Sequence, residues 1–102
     1  MTSVFTQIGG LRAGHGLFNA WNVTWPFARL RVNDSALTLR CLGRSWMLSR
    51  DRILRLSRQR ALLSVGLRID HSLAGAPAPL LFWTFRFRRL QRELESRGYV
   101  VS

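Results

Sequence analysis

The sequence predicts a mainly β (α+β) domain: a curled antiparallel sheet or barrel of six or seven strands, closed by one C-terminal helix. Three observations carry this. From residue 27 to residue 85, short runs rich in apolar residues, several of them alternating with polar ones, are separated by turn signals. After residue 86 the period changes to that of a helix. The chain has 102 residues, 47% of them hydrophobic, which suits one domain with a core of its own. Many strands followed by a single helix is the order of a barrel or curled sheet with its open end plugged.

The first 28 residues carry one charge, Arg12. Gly9, Gly10, Gly14 and Gly16 mark turns, and residues 4–8 fit a short strand. Phe18, Trp21, Trp25 and Phe27 follow. So many bulky apolar side chains are not left in water without a reason. They are expected to pack across the domain, against a second copy or against a partner. Residues 1–22 are accordingly read as a Gly/aromatic N-terminal segment, ahead of a single domain at 23–102. Pro26 holds Trp25 extended.

Ala28-Arg29-Leu30-Arg31-Val32 alternates apolar residues with arginines, as a half-buried strand with a basic outer face does. Asn33-Asp34 is a turn. In the next strand Leu37, Leu39 and Cys41 face one way, Thr38 and Arg40 the other. Gly43 makes a tight turn into a short strand at 44–48, so that 28–48 forms an antiparallel meander. Ser49-Arg50-Asp51-Arg52 breaks the alternation and fits a corner or a single helical turn. Residues 53–59 read as another strand, although Arg52, Arg55 and Arg58 at spacing three leave a short helix open. Leu67, Ile69 and His71 share one face of a further strand; Asp70 on its outer face is expected to pair with an arginine. Residues 72–79, with Gly75, Pro77 and Pro79, form a loop. The apolar run 80–85 reads as a strand buried on both faces or nearly so. Phe87, Leu90, Gln91 and Leu94 then recur at helical spacing among arginines. Glu93 and Arg97 stand four apart in the favourable order, Gly98 stops the helix, and Tyr99, Val100 and Val101 extend back toward the core.

This order, with its local wording, resembles the bacterial pleckstrin-homology-like (PH-like) domains in their short stand-alone form. The resemblance runs from Trp25 to Val101. It is carried by Trp25-Pro26-Phe27-Ala28-Arg29-Leu30, by Leu37-Thr38-Leu39-Arg40, and by the polar corner Ser49-Arg50-Asp51-Arg52-Ile53. Gly66-Leu67-Arg68-Ile69-Asp70-His71, then Phe82-Trp83-Thr84-Phe85 before the closing helix, and Gly98-Tyr99-Val100-Val101 complete it. The helix start departs from the pattern: Arg86-Phe87 stands where a capping Asn or Asp and then Pro are expected. The resemblance implies the fold. Relatives of this barrel variously bind lipid head groups, peptides or other subunits, and the fold alone does not choose among these.

No catalytic site, metal site or cofactor is expected. The five acids are Asp34, Asp51, Asp70, Glu93 and Glu95. They fall on a turn, a corner, a strand's outer face and a solvated helix face, without the paired carboxylates of acid–base chemistry on sugars. Cys41 and His71 are a nucleophile and a base by type. Both are expected on inward faces, as a buried thiol and a hydrogen-bonded core histidine. Gly14-His15-Gly16 lacks the Lys-Ser or Lys-Thr and the following helix of a P-loop. The single cysteine and the lack of a signal-peptide pattern point to a reducing, cytoplasmic setting. No apolar run reaches the roughly 18 residues of a membrane span, so any membrane contact is expected to be peripheral, at the inner face.

The charge remains. Sixteen basic residues face five acidic ones, a net charge of +11, and every basic residue is Arg. Arginine makes planar, bidentate contacts with phosphate and carboxylate. The absence of Lys also fits a genome of biased composition, in which Arg fills every basic surface position. Residues 29–60 hold nine arginines and two aspartates, a net of +7, against +1 before them and +3 after. Arg29, Arg31 and Arg40 are expected on one outer face, with Arg44, Arg50, Arg52, Arg55, Arg58 and Arg60 extending it if they converge. Arg29, Arg31, Arg40, Arg44, Arg50, Arg52, Arg55 and Arg58 are the candidates for binding an anion or lipid head group. Phe18, Trp21 and Trp25 are the candidates for a partner interface, and an exposed Trp21 or Trp46 would suit a membrane surface. The expected function is a non-enzymatic binding or interaction module. It would serve protein assembly, self-association included, or peripheral binding to anionic lipid. Nucleic-acid binding is the third reading; the sequence has no helix-turn-helix, zinc motif or aromatic RNA platform.

Overall fold

A computed structural model describes residues 4–13, 21–60 and 65–102. Its strands are β1 (Phe5–Ala13), β2 (Trp21–Val32), β3 (Ala36–Cys41), β4 (Arg44–Ser49), β5 (Ile53–Arg60), β6 (Val65–His71) and β7 (Leu80–Thr84). The helix α1 (Phe87–Ser96) follows them. The strands form one antiparallel sheet in the order β4-β3-β2-β1-β7-β6-β5.

Connectivity forces this sheet to curl. The edge strands β4 and β5 stand at opposite ends of the order, yet a single 3-10 turn, Arg50–Arg52, joins them. Laid flat, the two edges of such a sheet would lie about 29 Å apart at ~4.8 Å per strand spacing. One such turn spans only about 6 Å. The edges must therefore approach each other at that corner, and the sheet becomes a half-barrel.

The inward side chains fill it. Leu30 lies opposite Leu39 across β2 and β3, Leu11 opposite Phe82 across β1 and β7, and Leu67 opposite Phe82 across β6 and β7. All five are fully buried. The helix covers the open mouth with Phe87, Leu90 and Leu94, all buried. Each such side chain stabilises the fold by roughly 1.5–3 kcal/mol. The helical stripe read from the sequence is thus the face that closes the barrel.

β1 differs from expectation. It is longer than the strand read at 4–8, and it is the strand that joins the two halves of the sheet, pairing with both β2 and β7. Residues 5–13 therefore belong to the core of the fold rather than to a segment laid upon it, and a boundary between 22 and 23 does not divide the sheet. The crossing is tight at Gly9. A Cβ there would sit 2.1 Å from the Trp83 carbonyl oxygen, so only glycine fits.

Residues 53–60 are strand rather than helix. β6 supplies a continuous ladder on one side. On the other, Val101 bridges to Leu56 in parallel, and Ser102 exchanges backbone hydrogen bonds with Leu56 and Arg58. Two sets of backbone partners outweigh the period-three spacing of the arginines, and an irregularity between Ile53 and Arg55 accounts for the broken alternation.

A polar lock fixes the helix end to the corner. Asn33 Oδ1 accepts from the backbone N–H groups of Ser35 and Ala36, closing the β2–β3 turn. Arg97 then bridges Glu93 at 2.8 Å and Asp34 at 2.9 Å, with its side chain only 8% exposed. Burial works against the Arg97 charge, but the bonds from Glu93 and Asp34 outweigh it and hold the guanidinium protonated above its ordinary range. Tyr99 donates its hydroxyl to the Asn33 carbonyl at 2.9 Å. Gly98, at φ +87°, turns the chain between them.

Candidate functional site

The expected arginines divide into three groups. Arg29, Arg31 and Arg40 all point outward from the β1–β4 half of the sheet, and Arg29 lies directly opposite Arg40 across β2 and β3. Like charges set opposite each other destabilise a sheet. The outward neighbours in register are Thr6, Ile8, Thr38, Ser45 and Met47, with no acid among them. The three ion pairs among the described residues engage Arg68 and Arg97 instead. One of these is the expected pair of Asp70, with Arg68 at 3.2 Å.

The second group serves the fold. Arg50 donates to the Asp34 carbonyl at 2.6 Å and the Arg97 carbonyl at 2.9 Å, and its guanidinium lies 4.2 Å over the Tyr99 ring. Arg58, though exposed, falls on the inward register of β5, where its guanidinium lies 5.8 Å from the centre of the Phe87 ring. The third group, Arg52 and Arg55, is exposed at the corner and on β5. Arg55 faces outward opposite Asp70. Position along the chain does not make one face here, because β4 and β5 are the two ends of the sheet.

One surface pocket gathers members of the first group. It holds about 250 Å³ and is lined by Arg29, Arg40, Arg44 and Ser45, with Phe27, Leu42 and Gly43. Arg44 joins the others from the start of β4, in register with Cys41 rather than with the outward row. Leu42 and Gly43 form the two-residue β3–β4 loop, with φ of +46° and +81°. Positive φ at both positions is the type I′ hairpin geometry, which favours Asn-Gly. Leucine is strained there, and it is 70% exposed. Phe27 at 58% and Met47 at 65% are exposed on the same half of the sheet. Arginines, a strained leucine and bare apolar side chains thus share this half of the sheet. Sequence reading missed Leu42 and Met47 as surface features. The signal was the two-residue loop, which takes Leu42 out of the alternation.

The aromatics also separate. Trp25 and Phe27 are exposed rather than packed across the domain. Trp46 packs against the core from the inward register opposite Leu39, so it does not reach outward to a membrane. Phe18 and the Trp21 side chain lie outside the described residues. Cys41 and His71 are both buried. Burial pushes the Cys41 thiol up, against a smaller opposing effect of Arg44. His71 Nδ1 accepts from the Leu73 N–H at 3.1 Å, and Nε2 lies 2.7 Å from the Pro77 carbonyl. The tautomer with its hydrogen on Nε2 satisfies both contacts.

A second depression, of about 540 Å³, lies where β1 parts from β7. β7 pairs only with residues 10–13 of β1; residues 5–9 pair with β2 alone. Ile8, Trp25 and Phe85, all exposed, line this groove together with Arg86 and Arg89. Trp25 and Phe85 meet edge to face at 5.8 Å between ring centres. Gln7 crosses the gap, donating from Nε2 to the Arg86 carbonyl at 3.1 Å. Its Oε1 is buried without a hydrogen-bond partner, a deficit of roughly 1–3 kcal/mol.

No protein-family model, curated protein or solved structure matches the chain. No helix among the described residues is long and apolar enough to cross a membrane.

Proposed function

We propose that this chain is a PH-like module of the short bacterial type, and that it binds peripherally to anionic membrane surfaces. The binding surface is the β2–β4 end of the half-barrel, at the inner face of the membrane. The order of strands and the closing helix support the PH-like assignment. One observation carries the function: Arg29 and Arg40 stand opposed across β2 and β3 with no acid among their described outward neighbours in register, at a pocket rimmed by Leu42 and Phe27. Repulsion of this kind costs the fold stability unless an anion relieves it. Guanidinium groups take phosphate oxygens in bidentate fashion. Basic residues near an acidic surface each contribute about 1 kcal/mol. Arg29, Arg31, Arg40 and Arg44 together would supply roughly 4 kcal/mol, or about a thousandfold in affinity. Leu42 and Phe27 would enter the interfacial layer beside them.

Sedimentation with lipid vesicles tests this. The protein is expected to pellet with phosphatidylserine-containing vesicles and not with pure phosphatidylcholine ones. Binding should fade in high salt, which screens exposed charge. Equal behaviour toward the two vesicles would overturn the proposal, as would full retention of binding by an Arg29→Glu/Arg40→Glu variant.

A further inference from the structure

We infer that the groove between β1 and the start of α1 is a second binding site, which takes an extended acidic segment of a partner protein alongside the free edge of β1. Its lining shares no residue with the arginine pocket, although Ile8 is the cross-strand neighbour of Arg29, and it does not depend on the membrane reading. Four features select this occupant. Residues 5–8 of β1 pair on one side only and line the groove, so backbone groups there that are directed away from β2 can meet another strand; Gly9 is closed off by Trp83. The groove floor holds the Gln7 amide, a residue only 8% exposed whose Oε1 lacks a donor. A peptide offers N–H groups for both. The exposed Ile8, Trp25 and Phe85 supply apolar contact for alternate side chains of an added strand.

Charge gives the fourth feature. α1 has no acid in its first turn and no side-chain cap at its N-terminus. Arg86 and Arg89 stand there instead, both lining the groove. Arginines at the positive end of a helix oppose its dipole, and carboxylates from a partner would answer both. An inorganic anion would meet the charge but would cover no apolar surface and pair with no strand. A second copy of the chain fits poorly. Its net charge is +11, and of its five acids Asp34, Asp70 and Glu93 are in ion pairs, while Asp51 accepts from Ser49.

Selection from a random peptide library against the full chain tests the assignment. The enriched peptides are expected to carry Asp or Glu alternating with apolar residues. The best of them, fluorescently labelled, should bind an Arg86→Glu/Arg89→Glu variant at least tenfold more weakly. Both arginines are exposed, and a carboxylate at a helix N-terminus is favourable, so this variant should keep its thermal melting curve. N-methylation of alternate peptide residues should abolish binding for one set only, as strand pairing requires. The Arg29→Glu/Arg40→Glu variant should weaken the peptide less than the Arg86→Glu/Arg89→Glu variant does, since neither Arg29 nor Arg40 lines the groove. No enrichment over the Arg86→Glu/Arg89→Glu variant would overturn the inference, as would selection of peptides without acids or indifference to N-methylation. Full displacement of the peptide by a single-stranded oligonucleotide that binds more tightly through Arg86 and Arg89 would overturn it in favour of nucleic acid.

Discussion

Replacing Leu42 by Asn should make the protein more stable and a weaker membrane binder. Leu42 occupies the left-handed region at φ +46° in the β3–β4 loop. That conformation costs an L-residue roughly 1–2 kcal/mol, and Asn adopts it far more readily. The side chain is 70% exposed, so little packing is lost with it. The gain should be about 1 kcal/mol, which raises Tm by about 4–8 °C in a domain of this size. On a membrane the effect reverses. Burying a whole leucine side chain is worth roughly 1.5–3 kcal/mol. A partly inserted hairpin tip would therefore lose about 1 kcal/mol, some fivefold in partitioning onto acidic vesicles. Thermal melts followed by circular dichroism and a vesicle titration on the same preparation measure both. A lower Tm would refute the strain argument. A higher Tm with unchanged vesicle binding would show that the tip does not enter the membrane.

Arg40→Glu should likewise separate stability from binding. It turns the Arg29–Arg40 repulsion into a cross-strand ion pair, raising stability by about 0.2–1 kcal/mol in denaturant titrations while sharply weakening acidic-vesicle binding. Arg97→Gln should destabilise by about 1–2 kcal/mol, less than the loss of a fully buried pair, because Asp34 and Glu93 remain partly solvated. An unchanged urea midpoint would show that the corner lock contributes nothing. Alkaline stability should fall from about pH 8.5 upward. Burial holds both the Cys41 thiol and the Tyr99 phenol above their ordinary values, so the unfolded chain ionises first; the stabilisation is complete below the unfolded values and is lost as pH rises toward the folded ones. Unfolding free energies at pH 7, 9 and 10 should show the slope, and Cys41→Ala should flatten its first part. Leu90→Ala, which empties a fully buried position under the half-barrel, should cost 2–5 kcal/mol, about the measured range for such changes.

The period of the apolar residues determined the elements themselves. Leu37, Leu39 and Cys41 face inward as their alternation requires. Phe87, Leu90 and Leu94 form the buried stripe of α1, and Gly98 ends that helix with a positive φ. These features depend on neighbours a few residues away, so local order suffices to read them. The outward direction of Arg29, Arg31 and Arg40 was legible for the same reason. What the alternation leaves open is which strands become neighbours. That β1 joins the two halves, that β4 and β5 end at opposite edges, and that Arg50 and Arg58 are drawn to the helix while Arg29 and Arg40 stand opposed depend on pairings over tens of residues. The groove beside β1 is of this kind too: it exists only because β7 leaves β1 after Gly10 to begin the helix. Sequence by itself determined an arginine-rich β-domain closed by a helix. The tertiary structure alone decided which arginines are engaged within the fold and which stand opposed on the outer face of the sheet, because the curl of the sheet sets their neighbours.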